Sequence, residues 1–236
     1  MARMTALQVL NQVLQNIGET STLSSLTSLT GIQITAFNKI KEAIQDITTD
    51  QNDRWDFLES LGEISLSTNN YSYAVTGITT GSDMMMEDRE SFRQPDTGRN
   101  LKYITPQEFD AYYPKGISTD TVGYPSFFAK YGGSFYFDKM ATSTENGKLV
   151  KFRYWRYPTY YATATATGTT DIPEPFDMTL LVALATLKML TYLGSSEAAI
   201  YKAQVFGNGS DIEGSLDKMK RIHTSPLLKP RMTYQQ

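Results

Sequence analysis

The sequence predicts an α+β protein: a helical bundle built from its N- and C-terminal segments, an inserted antiparallel β module, and an extended C-terminal tail. Three observations predict it. Apolar residues recur at helical spacing in the first and last quarters, they alternate through an aromatic-rich middle, and the last residues keep neither period. An apolar helix stripe must be covered, and the two ends are each other's natural cover. This places residues 1–62 and 172–223 in the bundle, 63–171 in the β module and 224–236 in the tail.

Over residues 5–17, Leu7, Leu10, Leu14 and Ile17 mark one helix face, which Val9 and Val13 widen and Gly18 closes. A Ser/Thr loop punctuated by leucines follows. Phe37, Ile40, Ile44 and Ile47 then define a second helix, and Trp55, Phe57 and Leu58 are expected to lid the bundle. Near Glu63 the period drops to two. Ile64 and Leu66, then Tyr71, Tyr73 and Val75, alternate about Asn69 and Asn70, which predicts a hairpin. Residues 127–131 and 134–137 predict a second one. Its turn, Gly132-Gly133, can take the positive φ angles a tight hairpin requires. Thr105-Pro106-Gln107-Glu108 is a capping box with proline at the first helical position, so a short helix should start there and end before Pro114. Residues 149–157 read as a further strand, and the Thr/Ala-rich 161–170 as an exposed loop or edge strand.

Residues 171–175 are a stiff proline hinge. The following 176–193 is apolar on most sides, which places it at the bundle centre, and Gly194 ends it. Two more helices are expected over 195–206 and 210–222, separated by Gly207-Asn208-Gly209. The second opens with the box Ser210-Asp211-Ile212-Glu213.

Composition narrows the function classes. With 236 residues, 40% apolar and 20% charged, the chain can bury a sizeable core. A net charge of -3 supplies no whole-molecule attraction for nucleic acid or an anionic membrane. Lacking cysteine, it has no disulfide and no thiolate metal site. Residues 1–20 form an interrupted helical stripe, not a basic start followed by an apolar block, so no signal peptide is expected. The apolar stretch 176–193 approaches spanning length, but Asp177, Thr179, Thr186, Lys188 and Thr191 interrupt it, and no membrane segment is expected. The fifteen tyrosines suit large, partly wet contact surfaces.

Few residues invite chemistry. The only histidine, His223, falls at a predicted helix end, where a cation or donor suits the dipole. Asp83, Glu87, Asp88 and Glu90 cluster, but without the alternating oxygen ligands and central glycine of a calcium loop, and they read as a solvated loop. There is no Gly-x-Ser-x-Gly elbow, phosphate loop or dinucleotide fingerprint. No catalytic, cofactor or metal residue is therefore predicted, and the chain does not read as an enzyme.

Three segments read as contact surface instead. In the strand Lys151-Phe152-Arg153-Tyr154-Trp155-Arg156-Tyr157, arginines interleave with aromatics. Such a strand can stack bases or sugars through Arg153, Trp155 and Tyr157. It can equally put Phe152 and Tyr154 on one face and Trp155 and Tyr157 on the other, with its arginines pairing acids at a subunit contact. Met84, Met85 and Met86 read as a gap-filling loop able to dock on a neighbour. Pro226, Leu227, Leu228, Lys229, Pro230 and Arg231 form a basic, apolar-tipped extension expected to order along another chain.

The layout resembles the head-to-tail adaptor (connector) proteins of tailed bacteriophages. The resemblance is carried by the helix pair ending in Asp53-Arg54-Trp55-Asp56-Phe57-Leu58 and by the strand entry Gly62-Glu63-Ile64-Ser65-Leu66-Ser67. Gly123-Tyr124-Pro125-Ser126-Phe127-Phe128 with its Gly-Gly hairpin, the strand 152–157 closing at Pro158, and the proline-led helix 175–193 complete it. Gly207-Asn208-Gly209 departs from the long uninterrupted helix of that pattern. The resemblance implies a virion protein of the neck or tail, present in the host cytoplasm during assembly. It implies a homo-oligomeric ring, commonly of twelve copies, beneath the portal protein, with genomic DNA passing through the lumen without sequence-specific binding. The tail would reach the portal or neighbouring copies, and the β module the next tail component, whether nozzle, tube or fibre. Two rivals stand beside it: another virion component such as a tail-tube or head-completion protein, and a carbohydrate- or nucleic-acid-binding module built on Arg153, Trp155 and Tyr157.

Overall fold

The computed structural model describes residues 3–49, 54–78, 80–159, 167–208 and 213–224. In chain order the elements are α1 (Ala6–Asn16), α2 (Ile32–Thr48), β1 (Glu59–Ser65), β2 (Ser72–Ala74), β3 (Met84–Glu87), β4 (Arg93–Gln94), β5 (Arg99–Asn100) and β6 (Lys102–Tyr103). They continue with α3 (Pro106–Tyr112), β7 (Phe127–Tyr131), β8 (Ser134–Phe137), β9 (Leu149–Arg156), α4 (Val182–Tyr192), α5 (Ala198–Phe206) and α6 (Ser215–His223). The class is α+β. The chain divides into a helical unit, Met1–Leu58 with Pro158–Gln236, and a β unit, Glu59–Tyr157.

In the helical unit, α1 is set by a reciprocal cap: the Thr5 hydroxyl accepts the Gln8 backbone N–H at 3.3 Å, and the Gln8 side-chain amide oxygen accepts the Thr5 N–H at 2.8 Å. Its buried face, Ala6, Val9, Leu10, Val13 and Leu14, meets α2 and α4. α2 in turn buries Phe37, Ile40, Ile44 and Ile47 against α4 and α1. Each such side chain removed from water contributes about 1.5–3 kcal/mol. Trp55 is buried, and its indole N–H donates to the Ile47 carbonyl at 2.8 Å, which satisfies the polar edge of a large apolar ring.

The stretch expected to form one helix over 176–193 is in two parts. A wide (π) turn, Asp177–Leu181, precedes α4. Asp177 is buried there, and its carboxylate accepts the N–H groups of Met4 at 2.7 Å and Met178 at 2.8 Å. The chain near its start is thereby fastened to its last third. Thr5 bridges Thr169, and Ala6 donates to the Gly168 carbonyl at 2.8 Å. α5 begins at Ala198 rather than at 195. The helix expected from Ser210 begins at Ser215, with Gly214 as its N-cap, and Glu213 stands outside it, paired with Arg221 at 3.0 Å. Position 214 has to be glycine, because a β-carbon there would fall 2.3 Å from the Val205 carbonyl oxygen at the end of α5. Ser210, Asp211 and Ile212 lie outside the described residues, as does 160–166 of the Thr/Ala-rich segment.

The β unit holds two sheets, one ordered β1-β9-β4-β5 with β3 also on β9, the other ordered β2-β8-β7-β6. β9 is the hub of the first. β1 pairs it antiparallel from Glu59↔Trp155 to Ser65↔Leu149. The expected hairpin over 64–75 does not form, because β1 joins β9 while β2 joins β8 in the other sheet. Asn69 does turn the chain, at φ 58°, but its N–H donates to the Ala141 carbonyl. The hairpin β7–β8 forms as expected, with Gly132 and Gly133 at φ 58° and 76°.

Aromatic rings fill the space between the sheets. Phe92 stacks on Phe152 of β9 at 4.6 Å and on Phe128 of β7 at 3.9 Å, with Phe135 of β8 tilted against both Phe92 and Phe152. Gly62 makes room for this stack: a β-carbon there would stand 2.3 Å from the Phe152 ring. A satellite cluster lies under α3. That helix starts with the Thr105/Glu108 box and buries Phe109 with Ile104, Ile117, Ala129 and Met140.

Candidate functional site

The residues singled out as contact surface have different fates. Met84, Met85 and Met86 are not a loop but the strand β3, paired with β9 across an irregularity between Met84 and Met86. Met84 is buried in the aromatic core, and Met85 and Met86 are half-buried. The unbranched side chains thus fill space within the chain itself.

The strand carrying Arg153, Trp155 and Tyr157 has the alternation expected of it, with Phe152 and Tyr154 in the core. Its other face does not line an exposed groove. Trp155 is only 5% exposed, and Arg153 is held by Asp88 at 3.1 Å and Glu59 at 3.4 Å of its own chain. Of the two rings on that face only Tyr157 is exposed, at 57%, and the exposed Arg153 is engaged by its acids. A base- or sugar-stacking face needs several accessible rings, so the binding-module rival loses its premise. The pairing of Arg153 with acids is also intramolecular, where a subunit contact was expected.

Three members of the acidic cluster, Asp83, Glu87 and Asp88, likewise engage residues of the β unit, while Glu90 is exposed as a solvated loop would have it. Asp83 accepts the Tyr154 hydroxyl at 2.7 Å, and Asp88 takes Arg153. Burial first, and then that bond to Asp83, push the Tyr154 hydroxyl above its usual range. Glu87 is buried and receives Lys130 of β7 at 2.5 Å and Arg89 at 3.1 Å. Burial pulls its carboxyl upward, but the Lys130 hydrogen bond, its own backbone N–H, the Lys130 charge and Arg89 together hold it below the usual carboxylate range. Because β3 and β7 belong to different sheets, this carboxylate ties the two sheets together. Among the described residues no group of His, Cys, Asp and Glu is placed to hold a metal.

The tail residues Pro226, Leu227, Leu228, Lys229, Pro230 and Arg231 lie outside the described residues. Their root does not. Thr224 bridges Trp55, and the imidazole of His223 stands 3.1 Å from the Asp56 carboxylate with the rings of Phe57 and Phe176 edge-on to it. His223 is the last residue of α6, as expected, but its ring turns to Asp56 instead of to the helix-end carbonyls.

Sequence reasoning missed the strongest surface feature. Seven of the nine residues of α5 (AAIYKAQVF) are apolar or aromatic, yet only Val205 is buried. Ile200 is 68% exposed, and Phe206 and the neighbouring Tyr192 and Leu193 also face solvent. α5 packs on α4 and α6 along one side. A periodic apolar pattern reads as core, and nothing local in it says that the cover is absent from the chain. The unit also carries an open groove of about 700 Å³ along the solvent side of α1, between Gln8, Gln12 and Gln15 and the loop at Glu19.

The strongest surface feature of the described residues is thus an apolar helix face without cover, of the kind that marks an interaction site. A family model described as SU10 adaptor protein matches residues 4–225. The chain belongs to that family of phage head-to-tail adaptors, as its resemblance implied. No curated protein matches it. Adaptor membership makes it a phage virion component that interacts with other head or tail parts. No helix among the described residues is long and apolar enough to cross a membrane.

Proposed function

We propose that the chain is a non-enzymatic adaptor that forms a ring of twelve copies between the portal protein and the next tail component, with genomic DNA passing through the lumen. The observation that carries this reading is α5, an apolar helix left uncovered on the protein's own surface, in a chain whose family is that of phage adaptors. Exposed contiguous apolar surface marks an interaction site. The parts divide the work as follows. The helical unit packs side by side with its copies to make the ring. The β unit, Glu59–Tyr157, presents its tyrosines to the distal tail part. The tail, 224–236, fastens the ring to the portal through Leu227, Leu228, Lys229 and Arg231. Each contact can be weak, because many identical contacts act together.

The test is the mass of the full-length chain, alone and with the portal, by native mass spectrometry, beside a variant ending at Thr224. A closed ring on the portal with full-length protein, lost with the shortened one, is the expected result. Equal binding by both would remove the tail's fastening role, and a chain that stays monomeric with the portal present would overturn the ring.

A further inference from the structure

Within the ring reading, on which this inference rests, we infer that the neighbouring copy's α5 is the occupant of the groove along α1. The ring is then closed by ridge-into-groove contacts between two different faces of the helical unit.

The two faces are distinct. α4 packs on both α1 and α5, and the extended helix contacts of the unit include none between α1 and α5. No residue lining the groove comes from α5. A contact between two different patches of one chain is head-to-tail, the kind that generates rings when its rotation closes. A self-complementary α5–α5 contact would instead stop at a dimer.

The dimensions agree. α5 has nine residues, a length of about 13 Å, against about 16 Å for the eleven residues of α1. The groove is lined by long amides and an exposed Met178, and it contains no aromatic ring. Small-molecule pockets draw mainly on hydrophobic and aromatic walls. The aliphatic stems of Gln8, Gln12 and Gln15 offer apolar contact to Ile200 and Phe206, while their amides meet Gln204.

Charge also agrees. Glu19 is the only charged residue of the groove lining. Lys202 is the only charge within α5 and is exposed. No ion pair engages either one among the described residues. One unpaired anion in the groove and one unpaired cation on the ridge select an orientation for docking.

Because the chain contains no cysteine, crosslinking tests the contact directly. Full-length protein carrying Gln15→Cys and Gln204→Cys is assembled on the portal, oxidised and run without reductant. Native mass spectrometry of the same sample reports the ring. A ladder of covalent multimers from the double variant, with monomers from either single variant, is expected. Lys202→Glu should lower the ladder yield by about threefold per contact, the size of an exposed ion pair, and adding Glu19→Lys should restore it. Dimers from Gln204→Cys alone would mean that α5 packs on α5 and would overturn the proposal. A closed ring without a ladder would overturn it too, placing the ring contact elsewhere and giving the groove to another occupant, while the ring itself stands. Monomers in the presence of the portal would overturn the ring and this contact together.

Discussion

The two units of this chain solve the burial problem in opposite ways. In the β unit, Lys151 and Arg153 of β9 and Asp83, Glu87 and Asp88 of the acidic cluster meet partners on the same chain, and its rings converge on Phe92 and Phe152. Its exposed apolar residues, Leu61, Tyr112, Val122, Phe127 and Tyr157, sit on separate elements. In the helical unit, four exposed apolar residues fall within one short stretch, Tyr192, Leu193, Ile200 and Phe206. The first unit is internally complete and the second is not. An assembly part benefits from that asymmetry, since a rigid module holds its shape while an uncovered helix gains its last contacts only on association.

The largest effect should follow from removing the ring at the centre of the β unit. Phe152→Ala should cost about 3–5 kcal/mol, because the side chain is buried among Phe92, Phe135 and Tyr154. The chain's two tryptophans fall one in each unit, Trp55 and Trp155. Urea unfolding followed by fluorescence in Trp55→Phe and Trp155→Phe backgrounds therefore reads the units separately. Trp155 should report the loss and Trp55 should not. A matching loss in both would mean that the units unfold as one. Gly62→Ala approaches the same ring from the other side and should cost about 1–3 kcal/mol. Phe152→Leu should relieve part of that cost, a coupling that distant sites would lack.

A smaller effect tests whether the sheets are joined by charge as well as by rings. Glu87 has its carboxyl held below the usual range, so its ionised form favours the folded state. That contribution is fully present above the unfolded carboxylate value of about 4.3 and is lost as pH falls through the lower folded value. Glu87→Gln should therefore be less stable than the parent near neutral pH, by about 1 kcal/mol given that Lys130 and Arg89 are partly solvated. The gap should narrow below about pH 4. Thermal unfolding across that range measures it, and a gap independent of pH would show that the pair adds packing only.

Elements whose cause is local were legible in the sequence. The Thr105/Glu108 box and the Gly132-Gly133 turn stand where the residues put them, because a cap or a tight turn is decided within four residues. Alternation over 64–75 gave the period but not the partner, and β1 pairs with a strand far along the chain, where register depends on which apolar face fits. Asp177 shows the same limit. It read as a polar interruption of an apolar helix, whereas the Met4 N–H, unknowable from the local pattern, satisfies its buried carboxylate. Gly214 caps α6 where the Val205 carbonyl leaves no room for a β-carbon, a contact that its sequence neighbours do not announce. The candidate surface was least legible, since α5 has the sequence of a core helix.

The smallest expected effect lies on the outer face of α5. If α5 is finished only by a partner, trimming its outer face should leave the isolated chain almost unchanged. Ile200→Ser exposes nothing new, because that side chain is already 68% exposed. The monomer should lose less than about 0.5 kcal/mol, read by urea unfolding through Trp55. A buried neighbour makes the control: Val205→Ala, on the same helix but fully covered, should cost more than Ile200→Ser by at least about 1 kcal/mol. Equal losses at the two positions would mean that both faces of α5 are packed in the monomer, and the helical unit would then be as complete as the β unit. A silent Ile200→Ser beside a costly Val205→Ala would place the apolar surplus of α5 outside the folding of the single chain, where only association can use it.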